Sequence, residues 1–401
     1  MITRYDSLMC GTDRKLAETN TIQHQRKALM PAFSFRHIKD LYPVLYAKGR
    51  ESALTIAAAV KKTQQPQKVH SWANRVTLDI IGCAAMGYDF NSLQEQDSDF
   101  VTTYRNLFDS EPPYYLWRLT GVWLPLGLIF SLPFPKNKRL RAAAAKLRSL
   151  CLDMVRKRRE AIEKAESTDV DVLSVILRSS VFPTDEDVAN QLTTFLAAGH
   201  DTTASSLTLG IYLLCKHPEV QKRLREEIRE HLPSLDDLNA SVTADKFDQM
   251  PYMRAVCNEM LRLAPAIPST CRDATHATTI QGQYVPKGTR IVASAWATNT
   301  SPELWGEDAL EFKPERWLAE GQANAGGAKS NYAFLTFIHG PHSCIGQGFA
   351  KAELVCILAA WIGRFEIRLE DENLPYHQTT WVTARAPPNG IPAIFTEVEG
   401  W

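Results

Sequence analysis

A mainly α-helical protein with a minor β portion is what this 401-residue sequence predicts. Three observations carry that reading. Leu140–Glu166 joins an Ala- and Leu-rich stripe to a charged face, the pattern of a long amphipathic helix. Asp185 to about Cys215 is apolar and nearly uncharged after Asp187, as a helix buried along most of its length must be. The pieces that read as strands, Thr278–Ile280, Gln283–Val285 and Arg290–Ala295, are short and are set apart by Gly282 and the Lys287-Gly288 turn.

The remaining elements follow in order. The N-terminal stretch MITRYDSLMCGTDRKLAETN has no apolar run, so neither a signal peptide nor an N-terminal membrane anchor is expected. Leu119–Pro135 is apolar and uncharged, but Pro125 and Pro133 interrupt it, and it is shorter than the ~20 residues of a spanning helix. Burial or shallow contact with a bilayer surface is the expectation there. Thr184 followed by Asp187 resembles a capping box that opens the Asp185 helix. His217-Pro218 starts a highly charged helix to about His231, and Pro251–Leu263 makes another, ended by Pro265 and Pro268. A Gly-rich loop, Gly321–Gly327, leads to Phe334–Phe337, and a last helix runs from about Cys344 to Ile362. Trp381–Glu399 reads as a terminal hairpin around Pro388-Asn389-Gly390. No linker separates domains, so residues 1–401 read as one domain.

Composition narrows the class. Forty-five basic residues balance 45 acidic ones, with 45% hydrophobic and 22% charged residues. These are values of a soluble globular protein, which excludes disordered, collagen-like and coiled-coil chains. Zero net charge gives no global case for a nucleic-acid partner. Eight cysteines, at 10, 83, 151, 215, 257, 271, 344 and 356, form no C-x-x-C pair and no zinc spacing. They read mostly as reduced, buried, small hydrophobes of a reducing compartment.

Cys344 is the exception. It lies in Phe337-Ile-His-Gly-Pro-His-Ser-Cys-Ile-Gly346, with Gly340, Gly346 and Gly348 packed round it. Glycine at such density implies tight turning or close approach of the backbone to something flat or bulky. A cysteine placed at the start of a helix is also favoured as thiolate by unpaired N–H groups and the helix dipole.

The pattern F-x-x-G-x-H-x-C-x-G resembles the haem-binding signature of the cytochrome P450 family of haem-thiolate monooxygenases. That resemblance implies that Cys344 is the axial ligand of haem iron, with Phe337, Gly340 and Gly346 shaping the loop. His342 stands where the family usually has Arg and would contact a haem propionate. Three further motifs fit. Glu259-Met-Leu-Arg262 and the Phe312-Lys-Pro-Glu-Arg-Trp317 segment resemble the family's E-x-x-R and P-E-R-F/W motifs, implying a buried structural cluster of Glu259, Arg262 and Arg316 behind the haem. Ala198-Gly199-His-Asp201-Thr202-Thr203 resembles A/G-G-x-D/E-T-T/S, where a local bulge at Gly199 leaves room over the cofactor and Asp201 and Thr202 handle protons. Arg26 matches the arginine of the W-x-x-x-R helix, although Ile22 occupies the tryptophan position, and Arg272 matches another propionate-binding arginine.

What the resemblance implies is a cytochrome P450 fold lacking its first helices and strands, since only about twenty residues precede the Arg26 helix. The expected activity is a monooxygenase inserting one oxygen atom from O2 into an apolar small molecule, in secondary-metabolite biosynthesis. Its cofactor would be haem b, with electrons from NADPH through a separate reductase, because no flavin or iron–sulfur motif occurs. A proximal basic face including Lys351 would steer that reductase, while Phe195, Ala198, Ile267 and Thr270 would line the pocket. The expected location is the cytoplasm or the surface of the endoplasmic reticulum membrane. Two alternatives remain at this level: a peroxide-using or isomerase-type relative, disfavoured by Asp201-Thr202, and a catalytically impaired, truncated haem-binding or partner module.

Overall fold

The computed structural model describes residues 25–95, 98–108, 132–164, 170–179, 182–237, 240–375, 379–380, 383–385 and 390–401. The helices are α1 (Phe35–Thr63), α2 (Val69–Ile81), α3 (Asp99–Phe108), α4 (Pro135–Glu163), α5 (Val172–Ser179), α6 (Asp185–Lys216), α7 (Pro218–His231), α8 (Ala244–Asp248), α9 (Pro251–Leu263), α10 (Ala295–Asn299), α11 (Pro302–Trp305) and α12 (Gln347–Arg364). The strands are β1 (Gln67–Lys68), β2 (Ser269–Asp273), β3 (Thr278–Ile280), β4 (Gln283–Val285), β5 (Arg290–Ser294), β6 (Phe365–Leu369), β7 (Thr379–Thr380), β8 (Ala384–Arg385) and β9 (Pro392–Glu397). The predicted class, mainly α with minor β, is the observed one. Two compact units divide the chain. Among the described residues, one comprises those within 33–77 and 199–401, the other those within 25–32 and 78–198.

The first unit is built on α1 and α12. Ser34 caps α1, its hydroxyl accepting the His37 N–H at 3.4 Å. α12 is apolar nearly all round and carries Ala352, Ala359, Ala360 and Gly363, small residues that let neighbours approach. The contact with α1 is close enough that a Cβ on Gly49 would come 2.9 Å from the Cys356 carbonyl oxygen. Beside it, the Trp361 indole donates to Ser52 Oγ at 2.8 Å. β9 lies between β1 and β6 in an antiparallel sheet, pairing Phe395 with Ile367 and Ala393 with Gln67. Gln221 of α7 donates to the Ile367 carbonyl (2.9 Å) and accepts its N–H (2.8 Å), fastening that sheet to the helices. β2–β5 and β3–β4 are nested antiparallel pairs.

In the second unit α4 packs on α3 and α5. The buried Asp79 carboxylate accepts the N–H groups of Ser92 (2.7 Å) and Leu93 (3.0 Å), and Phe90 stacks on Phe100 at 3.8 Å. Thr184 caps α6 as its sequence suggests: the Asp187 N–H donates to Thr184 Oγ1 at 3.1 Å, and the hydroxyl, in place of the backbone N–H of a full capping box, donates to Asp187 Oδ2 at 2.8 Å.

Three expectations need correction. The terminal hairpin does not form: β8 pairs with β7, and β9 returns to β6 and β1, so the chain leaves one sheet for another after Gly390. α4 begins at Pro135, five residues before the expected start, because proline at the first helical position loses no hydrogen bond. α12 begins at Gln347, after Cys344, for reasons given below. Most of the Leu119–Pro135 stretch, Glu166 and Pro388-Asn389 lie outside the described residues. Among the described residues no helix is long and apolar enough to cross a membrane.

Candidate functional site

Cys344 sits in a loop that spends its backbone groups locally. Its N–H donates to the Phe337 carbonyl at 2.8 Å, and the Ser343 N–H donates to Gly340 at 3.0 Å. Closing that loop puts Ile338 at φ +58° and Gly340 at φ +79°, conformations natural to glycine and costly for a β-branched residue. These local bonds are why α12 starts at Gln347 and not at Cys344. The sulfur still lies at the helix mouth: a Cβ on Gly346 would stand 3.9 Å from it. Among the described cysteines Cys344 alone is exposed, which runs against the strong tendency of cysteine to be buried. A Cβ on Gly340 would meet nothing within 4 Å. Phe337 and Gly346 are half-buried, and His342 is exposed.

Behind this loop lies the predicted ion cluster. Arg262 grips Glu259 with two parallel bonds, Nε–Oε2 and Nη2–Oε1, both 2.8 Å, and neither side chain is exposed at all. Arg316 Nε donates to Oε1 at 2.9 Å, as does the Lys313 N–H. The Trp317 indole donates to Oε2 at 2.9 Å. Two guanidiniums on one carboxylate would leave excess buried charge. Asp308 offsets it at the rim, 3.4 Å from Arg316 Nη1 and 2.8 Å from Lys313 Nζ. The hydrogen bond from Lys313, with Arg316 nearby, pulls the Asp308 carboxyl below its usual range.

The cluster reaches the thiol loop through residues that sequence reasoning missed. Arg262 Nη1 donates to the Asn299 carbonyl at 2.7 Å, and the Asn299 amide donates back to the Arg262 carbonyl at 2.9 Å. Asn299 also donates to Thr336 Oγ1 (2.8 Å) and accepts the Leu335 N–H (2.7 Å). Thr336 in turn donates to the Leu261 carbonyl at 2.8 Å. Leu335 and Thr336 directly precede Phe337. An asparagine inside a short helix carries no pattern of its own, so only the fold identifies it. The Trp317 N–H was the readable signal: a buried indole needs a partner.

α6 is helical throughout Asp185–Lys216, so the bulge expected at Gly199 is absent as a break in the helix. Hydroxyls along it bond back to the preceding turn, Thr194 to Asn190 (3.0 Å) and Thr208 to Ala204 (2.7 Å), which satisfies them without opening the ladder. Within one turn two adjacent side chains are held from other elements. His200 Nε2 donates to the Asn74 carbonyl at 3.0 Å, and Asp201 Oδ2 accepts the Thr383 hydroxyl at 2.6 Å. Thr203 is buried. At 100° per residue these contacts fix the direction of Thr202 as well. Ala198 is exposed, Gly199 and Thr202 half-buried.

The basic residues divide. Arg272 is exposed and donates to Thr270 Oγ1 (2.9 Å) and the Cys271 carbonyl (2.8 Å). Arg26 is half-buried in the helical turn at 25–29. Phe195 is buried, Ile267 and Thr270 half-buried. Lys351 is not the solvated steering charge expected: Nζ donates to Asn258 Oδ1 at 2.8 Å and lies over the rings of Phe334 (5.5 Å) and Phe337 (6.0 Å). Burial lowers its pKa, and it braces the aromatic pair behind the thiol.

An exposed thiol at a helix mouth in a glycine-bearing loop, with a buried ion cluster underneath, suits a flat, iron-bearing cofactor held by sulfur. Comparison with known sequences agrees. The family model of the cytochrome P450s matches residues 2–392. Similar proteins include the cytochrome P450 monooxygenase sphH of Aspergillus fumigatus, 43% identical over 98% of this chain and 73% of that protein. FUM15 of Gibberella moniliformis is 39% identical (90% and 68%), and buaD of Petromyces alliaceus 36% (98% and 75%); both bear the same description. The chain belongs to the cytochrome P450 family and is one of its monooxygenases, an oxidoreductase whose cofactor is haem iron.

Proposed function

We propose that Cys344 is the proximal thiolate of this monooxygenase and that its substrate is an apolar small molecule of fungal secondary metabolism. The observation that supports this most is the exposed sulfur in the loop Phe337–Gly346, held from behind by Glu259, Arg262 and Asn299. Haem, when bound, supplies the iron at which dioxygen is reduced and one oxygen atom is passed to substrate.

The chain's own residues do the rest. Gly340 and Gly346 keep side chains away from the sulfur, and the cluster fixes the loop so that Cys344 needs no rearrangement to ligate. The exposed Arg272 and His342 would each donate hydrogen bonds to a haem propionate, and for Arg26 the same role is proposed from its motif alone. Asp201, oriented by Thr383, accepts and releases protons, and the Thr202 hydroxyl carries them onward, so that two protons accompany the two electrons of each turnover. Those electrons come from NADPH through a separate flavin reductase.

Incubation with such a reductase, NADPH, isotopically heavy dioxygen and a panel of apolar polyketides and terpenoids tests this reading. The expected product carries one heavy oxygen atom. Turnover driven by hydrogen peroxide alone, with no dependence on NADPH, would instead support the peroxide-using alternative.

A further inference from the structure

Lys351 stands on the second turn of α12, seven residues beyond Cys344, and is half-buried. Its ammonium donates to Asn258 Oδ1 at 2.8 Å and lies 5.5 Å from the centre of the Phe334 ring and 6.0 Å from that of Phe337. Those rings are themselves fixed. They meet edge to face at 6.4 Å, and Phe334 meets Trp317 in the same way at 5.5 Å. The Phe337 carbonyl accepts the Cys344 N–H at 2.8 Å, so the cation is packed against the residue that is bonded to the cysteine.

The partners of Lys351 are unusual for a lysine withdrawn from water. Among the described residues no carboxylate pairs with it. Lys39, which also lies over a phenylalanine ring, pairs with Asp245 and Asp248, and Lys313 pairs with Asp308. Glu259, next to Asn258 in sequence, is taken up by Arg262, Arg316, the Lys313 N–H and the Trp317 indole. Asn258 is buried and offers a neutral oxygen, which satisfies the ammonium without cancelling its charge. An ammonium held in this way costs free energy, and methionine would fill the same space at less cost.

We propose that Lys351 is a positioning residue for electron uptake: its uncancelled positive charge, held by Asn258 behind Phe334 and Phe337, raises the potential at which haem on Cys344 accepts its first electron. The inference rests on the reading of Cys344 as the proximal thiolate and adds what sets the ease of reduction there. The change is ferric to ferrous, with one electron arriving from the reductase. Positive charge nearby favours the state that carries the extra electron. The N-terminal end of α12 acts in the same direction, since its unpaired N–H groups carry partial positive charge. Aromatic rings in place of water around the ammonium leave its field less screened than that of a surface charge.

The test is a potentiometric titration of the full chain loaded with haem, without substrate or reductase, read from the absorption of its ferric and ferrous forms. Lys351→Met is expected to lower the ratio of reduced to oxidised protein at a fixed potential by roughly five- to ten-fold, a midpoint more negative by about 40–60 mV. Asn258→Asp is the sharper variant. It keeps the lysine and its hydrogen bond but sets a carboxylate against the charge, so the midpoint should fall as it does in the methionine variant. The reduced carbon-monoxide band should report thiolate ligation in all three proteins. An unchanged midpoint in Lys351→Met would overturn the proposal while leaving the Cys344 reading intact. A fall in Lys351→Met with none in Asn258→Asp would overturn it too, because the side chain would then act by packing alone. If Lys351→Met fails to hold haem, Asn258→Asp decides: a lowered midpoint supports the proposal and an unchanged one overturns it. A wild-type chain lacking the thiolate band would instead bring down the reading beneath it.

Discussion

The Asn299 amide nitrogen donates to the Thr336 hydroxyl at 2.8 Å, and this bond joins the buried Glu259–Arg262 pair to the loop that presents Cys344. Asn299 is itself fully buried and satisfies the Leu335 N–H and the Arg262 carbonyl as well. The thiol loop is thereby supported from inside the core and not only by its own turns.

Asn299→Ala removes these partners at once and leaves a buried N–H and a buried carbonyl unsatisfied. The expected loss is ~2–4 kcal/mol, the desolvation of two or three polar groups. Denaturant unfolding of the haem-free chain measures it, and haem content after purification should fall in parallel. A variant with wild-type stability and full haem occupancy would show that the loop holds its shape unaided.

Arg262→Lys keeps the charge and loses the fork that meets both oxygens of Glu259 and the carbonyls of Asn299 and Glu311. The expected destabilisation is ~3–5 kcal/mol, that of breaking a buried ion pair. That is a large share of a domain's stability, so the variant should accumulate poorly and with little haem. Normal yield and haem content in the lysine variant would mean that point charge alone suffices.

Glu353 is completely buried on α12, and its acid gives stability a pH dependence whose sign is fixed by its raised folded-state pKa. Between the unfolded value, about 4.3, and the raised folded value, the unfolded state has released a proton that the folded state keeps. Stability therefore falls by up to ~1.4 kcal/mol per pH unit as pH rises through that window and is fully present below it. Glu353→Gln abolishes this contribution. The difference in unfolding free energy between the two proteins should widen in favour of Gln from pH 5 to pH 8. Parallel curves would mean that Glu353 is ionised in the native core.

Thr383→Val deletes the hydroxyl that donates to Asp201 Oδ2 at 2.6 Å. A hydrogen bond to a carboxylate is worth ~1.5–3 kcal/mol, so product formation should drop about ten-fold or more, with thiolate ligation unchanged. Equal turnover would remove Thr383 from the proton-handling arrangement.

Much of the helical body was readable in sequence because its signals are local. Proline at the first position and a clean apolar pattern gave Pro251–Leu263 to the residue, and the Thr184–Asp187 box marked the start of α6. The strands Thr278–Ile280 and Gln283–Val285 were equally marked by the turn between them. Errors arose where long-range pairing decides: the last strand prefers β6 and β1 over its sequence neighbour, and no local pattern around Gly390 reveals that. The same division runs through the site. Cys344, Glu259, Arg262 and Arg316 belong to spaced motifs. Asn299, Thr336 and Thr383 act across 36 or more residues of sequence and look ordinary in their own segments. Lys351 was misread because its charge was visible and its burial against Phe334 and Phe337 was not.

The most direct measurement is the absorption spectrum of the purified, dithionite-reduced chain under carbon monoxide, recorded beside Cys344→Ala. The wild-type protein should show the red-shifted Soret band of thiolate-ligated haem, and the alanine variant should lack it. The same band in both proteins would place the iron on a different ligand and contradict the assignment of Cys344.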